Sequence, residues 1–282
     1  MFDFCVVGHV TRDIVYSGGR RHEMPGGSAL YTSLALRYLG ASVAVVTCLG
    51  RDDEHLLQPL RAAGVVVRAT PASATTTFEN RYDASYHTRQ QRVLAVADAI
   101  PRDNLAGLEA AAFHLGTLTE GDIGPDVLPW LASRGAALSL DAQGLLRRVR
   151  NDGRVVLQDW PGKLTGLRGI TVLKANEAEA RILSGESEPE RMAPRLADMG
   201  PAEVVVTLGA QGAIVYASGV LHQVPAVPVP HPADPTGCGD TYIAGYLFAR
   251  RQLQQGPAAA AEFAARLAAQ KLRKRGPLLP QK

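Results

Sequence analysis

The residues Asp234-Pro235-Thr236-Gly237-Cys238-Gly239-Asp240 stand immediately before the apolar, helix-patterned run TYIAGYLFARR. Two alternating glycines let backbone N–H groups approach an anion closely, and a helix N-terminus behind them adds its positive dipole end. This spacing predicts a phosphate or oxyanion hole over Gly237, Cys238 and Gly239, with Asp240 beside it. A carboxylate so placed can take the proton of an attacking hydroxyl while the amides stabilise charge on a transferring phosphoryl group. An Asp and a Thr at such a point can also simply complement a helix start.

The whole string resembles the DTxGAGD signature of the ribokinase-like carbohydrate kinases, the PfkB family, whose last residue is the family's catalytic Asp; Asp240 holds that place. Other segments follow in the family's order. GHVTRDIV at 8–15 with Pro25-Gly26-Gly27-Ser28-Ala29 is similar to its early Asp and GG motif, which implies that Asp13, Gly26 and Gly27 meet substrate hydroxyls. LGRDD at 49–53 looks like its G-x-D, with Gly50 and Asp52 at the matching positions. Asn176-Glu177-Ala178-Glu179 resembles its N-x-x-E motif, which implies Asn176 and Glu179 around Mg²⁺, water and phosphate. Amide and carboxylate oxygens suit a hard ion that keeps most of its waters, and helix capping is the competing explanation. In VVVTLGAQGAIVY at 204–216, Thr207, Gly209 and Gly212 are similar to the nucleotide-site strand and turn, joined by Thr236, although a plain hairpin would look the same. The stretch 263–276 looks like the family's adenine-side helix and loop, its KLRKR run reading as a solvated helix end.

For the acceptor, Tyr31 stands where many sugar kinases of the family carry Asn, which turns the expectation away from ribose. The segments at 75–100 and 139–150 resemble myo-inositol kinases, and on that resemblance Asp141, Gln143 and Arg147, with Asn80, Arg81 and Asp83, are candidates for substrate contact. Asp141, Gln143 and Arg147 can equally close a strand and cap a turn. The resemblance implies an Mg²⁺-dependent kinase that moves the γ-phosphate of ATP to a hydroxyl of a small sugar or cyclitol. A nucleoside kinase of the same fold and a non-catalytic nucleotide- or polyol-binding protein are the alternatives.

Positioning these residues requires a layered α/β frame. Nearly all-apolar runs near 4–10, 42–50, 111–118, 136–142, 170–176 and 203–209 alternate with helical periods near 27–39, 53–63, 122–134, 176–184, 189–199, 237–251 and 257–274. That rhythm is the pattern of parallel strands covered on both faces. The resemblance implies one ribokinase-like domain over 1–282, a three-layer α/β/α sandwich with a mostly parallel sheet. Segments 13–24 and 65–98, with polar strand faces, are expected to form a small antiparallel β-lid that excludes water from the reaction.

Thirty Lys and Arg against 27 Asp and Glu leave a net charge of +3, which gives no reason to expect nucleic acid or an anionic membrane as partner. No GxxxxGK[ST] loop is present, Tyr242 fills the third glycine position of a GxGxxG, and the histidines lack metal-ligand spacing. Three scattered cysteines, no signal-like N-terminus and no long apolar run point to a soluble cytoplasmic protein. It is expected to be a monomer, or a homodimer paired through the lid.

Overall fold

A computed structural model gives the fold and describes residues 1–82 and 89–280. In chain order its strands begin with β1 (Phe2–Val7), β2 (Thr11–Ser17), β3 (Arg20–Gly26), β4 (Val43–Gly50), β5 (Val66–Ala72), β6 (Thr77–Tyr82), β7 (Arg89–Ala95) and β8 (Ala110–Leu115). They continue with β9 (Ala137–Asp141), β10 (Arg147–Val149), β11 (Val155–Leu157), β12 (Val172–Asn176), β13 (Glu203–Thr207), β14 (Ala213–Ala217) and β15 (Val220–Val224). The helices are α1 (Ser28–Tyr38), α2 (Gln58–Ala62), α3 (Val127–Ala132), α4 (Gln143–Leu146), α5 (Lys163–Gly166), α6 (Glu177–Ser184), α7 (Pro189–Ala197), α8 (Cys238–Arg251) and α9 (Pro257–Leu272).

Among the described residues, nine strands form one sheet in the order β15-β14-β13-β12-β9-β8-β1-β4-β5. It is parallel from β5 through β13, and the β13-β14-β15 meander adds two antiparallel strands at one edge. Alternate residues of each strand feed opposite cores. Val6, Val45, Val205 and Val215 pack under α1, α8 and α9, while Cys5, Val7, Val46 and Val206 pack under α3, α6 and α7. Both faces are covered, which is why the central strands read as continuous apolar runs. Helices α8 and α9 cross closely: a Cβ on Gly245 would lie 3.0 Å from the Ala264 Cα, so small residues set their approach.

A second sheet has the order β3-β2-β6-β7. Two points correct the sequence expectation. The stretch 65–98 is divided, because β5 is the edge strand of the main sheet, paired with β4, and only β6 and β7 join the smaller sheet. At that edge Val66 is 54% exposed, so the alternation that resembles a lid strand comes from incomplete cover. The smaller sheet is also mixed: β2-β3 and β6-β7 are antiparallel hairpins, but their inner strands β2 and β6 run parallel. Asp83 lies outside the described residues. No helix among the described residues is long and apolar enough to cross a membrane.

Candidate active site

The turn before α8 is built by Asp234 and Gly237. Asp234 Oδ1 accepts from the Thr236 amide at 2.9 Å, and the Cys238 amide donates to the Pro235 carbonyl at 3.2 Å. Gly237 then reverses the chain with φ 75°, in the left-handed region where a side chain is strained. Helix α8 starts there, and Asp240 falls on its first turn.

A cavity of about 480 Å³ opens over this turn, lined by Thr236, Gly237, Gly239 and Asp240. Asp13, Gly27 and Tyr31 reach it from the N-terminal segment, Gln143 and Arg147 from beyond β9, and Asn176, Thr207 and Gly209 from the ends of β12 and β13. Twelve residues named from sequence as site residues, contributed from widely separated points in the chain, thus meet in one space. The position of each follows from its element. Gly27, with φ 90°, turns β3 into α1, and a Cβ on Gly26 would lie within 2.8 Å of all three atoms of the Asp13 carboxyl group, so the glycine pair makes room for that acid.

Beneath the cavity floor lies a buried cluster of charge. Lys174 Nζ is 2.9 Å from Asp141 Oδ2, and both side chains are almost fully buried. Burial alone would lower the Lys174 pKa, but Asp141, Glu179 and Asp240 around it raise it on balance. Burial pushes the Asp240 pKa upward, and the negative charge of Asp141 adds to this. Lys174, the nearby Ser28 hydroxyl and Arg147 oppose the shift; the Ser28 geometry falls short of a full hydrogen bond. Asp240 is therefore a stronger base than an ordinary aspartate, beside an anion-shaped turn.

Asn176 and Glu179 form a reciprocal capping box at the start of α6: Asn176 Oδ1 accepts from the Glu179 amide at 3.0 Å, and Glu179 Oε2 accepts from the Asn176 amide at 2.8 Å. Asn176 reaches the cavity; Glu179 lies behind it, 1% exposed, with Oε1 lacking a hydrogen-bond partner. Burial raises the Glu179 pKa, with Lys174 opposing. Among the described residues no three His, Cys, Asp or Glu side chains gather into a ready metal cage. One amide and one open carboxylate oxygen fit an ion held through waters and phosphates rather than enclosed by protein.

Several expected residues fall outside the main cavity. Cys238 begins α8 without lining it; burial pushes its thiol up to about 11 and its amide is spent on Pro235. Asp141 serves Lys174 and the start of α4, where its Oδ1 accepts from the Gln143 amide at 3.1 Å. Gly212, with φ 100°, lies where a Cβ would run into the Val224 carbonyl oxygen. Arg81 points away: its guanidinium pairs with Glu79 and lies 4.1 Å from the Tyr16 ring centroid, while its strand neighbour Asn80 is 3% exposed and faces inward. Asn80 lines a smaller cavity of about 230 Å³ that shares Asp13, Tyr31 and Thr236 with the first. Asp52 is exposed, and its neighbour Asp53, itself buried, pairs with the half-buried Arg12.

The pfkB family carbohydrate kinase model matches residues 138–282. The chain belongs to the pfkB family. This kinase is 28% identical to the cytidine kinase of Thermococcus kodakarensis over 88% of either chain, and 31% identical to the inositol 3-kinase of Oryza sativa subsp. japonica over 86% of its own length. It spans only 61% of the latter. A pyrophosphate-dependent kinase in the ribokinase family, solved with a pyrophosphate analogue and myo-inositol, superposes with a TM-score of 0.88 at 28% identity, covering 98% of this chain and 97% of that one. Arabidopsis thaliana ribokinase superposes at 0.80 with 20% identity over 99% and 96%, a likeness of fold. The fold is ribokinase-like, and the protein is a phosphotransferase of the sugar, cyclitol and nucleoside kinase group.

Sequence reasoning passed over Lys174, Phe78, Gln91 and Ser28, all of which line the cavity. Lys174 had a signal: a charged residue inside a strand covered on both faces needs a buried partner. Gln91 had none, since its value lies in its cross-strand partner, the Asn80 Oδ1 to which its Nε2 donates at 2.9 Å.

Proposed function

We propose that this kinase transfers a phosphoryl group from a phosphoanhydride to a hydroxyl of a cyclitol of the myo-inositol kind. The observation that carries the reading is Asp240, its basicity raised by burial, on the first turn of α8 directly after the cavity-lining glycines 237 and 239.

In this reading Asp13, Gln143 and Asn80 hold acceptor hydroxyls, and Arg147 faces the transferring group. Asp240 takes the proton of the attacking hydroxyl as its oxygen bonds to phosphorus and the bond to the leaving phosphate breaks. The Gly237 and Gly239 amides hold charge on the phosphoryl oxygens, and Asn176, Thr207, Gly209 and Thr236 seat the rest of the donor. Magnesium, when bound, neutralises donor charge; Asn176 and Glu179 would hold it through water.

ATP is the donor that the family resemblance implies. Pyrophosphate is a second reading with its own support: no residue of 263–276 lines the main cavity, and the neighbour with TM-score 0.88 is described as pyrophosphate-dependent. Product formation should be followed with ATP and with pyrophosphate against myo-inositol, other cyclitols, ribose and cytidine. Phosphorylation of cyclitols with higher kcat/KM than ribose or cytidine is expected. Preference for cytidine would replace the acceptor assignment, and no product with either donor would sink the reading.

A further inference from the structure

The basic run that closes α9 does not share one environment. Arg273, Lys274 and Arg275 are exposed, as a solvated helix end should be, but Lys271 is completely buried. Its Nζ lies 2.8 Å from the Asp234 carbonyl oxygen, 3.3 Å from the Lys274 carbonyl oxygen and 3.2 Å from Asp234 Oδ2. The centroid of the Tyr31 ring is 5.8 Å away. An ammonium group has three N–H donors, and three oxygens lie within its reach, so both its charge and its hydrogens are satisfied inside the protein.

The partners of Lys271 are what make it consequential. Asp234 opens the anion-binding turn, and its carboxylate also receives the Thr236 amide at 2.9 Å and the Gly276 amide at 3.2 Å. Thr236 and Gly237 line the cavity, whereas Lys271 does not. The Tyr31 ring, over which the ammonium lies, fills the space beside Gly237. The buried ammonium thus joins the end of α9, the C-terminal loop and the entrance to the turn, and is not itself part of the cavity lining.

Two main-chain carbonyls and a carboxylate converging on one point form an oxygen cage that a potassium ion, with its preference for carbonyl ligands, could fill. We propose that Lys271 is a built-in monovalent cation. Its ammonium holds the 234–239 turn in its anion-binding shape, so donor binding needs no dissolved potassium or ammonium ion. Lys271 is a positioning residue, and this role rests on the reading of the turn as the donor-phosphate site.

The test uses a readout that requires no acceptor. Thermal stabilisation by inorganic pyrophosphate and by ATP is measured for wild type, Lys271→Ala and Lys271→Met in choline buffer, then with potassium, ammonium or lithium chloride added at equal ionic strength. Wild-type donor affinity should be the same in all four salts. Lys271→Ala, which opens the cage, should lose affinity by about a hundredfold in choline and lithium and recover at least part of it in potassium or ammonium. Lys271→Met, which fills the space without charge, should lose affinity and not recover. A wild type that itself requires potassium overturns the proposal even if neither variant folds. Lys271→Ala with wild-type affinity in choline, or a loss that potassium and lithium repair equally, also overturns it. If wild type binds donor as expected but phosphorylates no acceptor, the kinase assignment fails while Lys271 keeps its role; if neither pyrophosphate nor ATP stabilises wild type, both fail.

Discussion

The ring of Tyr31 occupies the space that a Cβ on Gly237 would need, with Cε1 2.6 Å from that position. Two constraints therefore meet at Gly237: the left-handed φ of 75° and the ring beside it. In a non-glycine residue such a conformation costs about 1–3 kcal/mol. Gly237→Ala should lower kcat by about a hundredfold as the turn amides are displaced. Adding Tyr31→Ala should return part of the rate, and steady-state kinetics of the single and double variants measures the coupling. An unchanged rate in Gly237→Ala would remove the turn from the mechanism.

Asp240→Asn separates catalysis from stability. Turnover should fall by about 10²–10⁴-fold, with donor affinity close to wild type. The melting temperature should rise at neutral pH. A carboxyl group whose pKa is higher in the folded chain than in the unfolded one binds its proton more tightly when folded, so its ionisation costs stability as pH rises above the unfolded value. By the same shift, the acid limb of the wild-type kcat/KM profile should lie above the ordinary aspartate range. A lowered melting temperature would contradict the raised pKa.

Lys174 is the counterion of the buried carboxylates. Lys174→Met should destabilise the fold by about 3–5 kcal/mol, since it leaves the Asp141 carboxylate buried without its partner. Adding Asp141→Asn should restore much of that loss in denaturant titrations. Without the cation, the Asp240 pKa should rise further, and the acid limb of residual activity should move to higher pH. A limb that stays in place would mean that Lys174 does not act on Asp240.

Neighbouring residues on β6 should behave in opposite ways because side chains alternate across the sheet. Asn80→Ala should raise the acceptor KM and alter the ranking of cyclitols. Arg81→Ala removes an exposed ion pair and should change stability by less than about 1 kcal/mol, with KM unaffected. Reversal of these two results would exchange the faces of the smaller sheet.

Glu179→Gln keeps an oxygen able to accept the Asn176 amide while deleting the charge. Melting should change little, whereas the magnesium concentration giving half-maximal rate should rise. A lower melting temperature with unaltered magnesium dependence would leave Glu179 only its part in the cap.

The central sheet is legible in the sequence because its strands are covered on both faces, and the cavity because glycines, Asp13, Asn176 and Asp240 stand in the order that the fold brings together. What escapes the sequence depends on distance along the chain. Lys174 meets Asp141 across 33 residues and Lys271 meets Asp234 across 37, so the local sequence names the partner of neither lysine, and for Lys271, in a basic run, it does not mark burial at all. Arg81 and Asn80 differ only in which way a strand residue points, and β5 resembles a cover strand because an edge is half exposed.

The hairpin β2-β3 is spliced between β1 and α1 by residues 8–10 on one side and by Gly27 on the other, and it carries Asp13, whose carboxylate lies against Gly26. It cannot swing without dragging that acid and the start of α1 along. The β6-β7 hairpin, which contributes Phe78, Asn80 and Gln91, joins β2 through β6 and the 152–154 turn through Arg92 and Val93, and has no such link to α1. One hairpin is thus an anchored hinge and the other an exchangeable cassette, so a change of acceptor within this architecture should accumulate in β6 and β7 and spare β2 and β3.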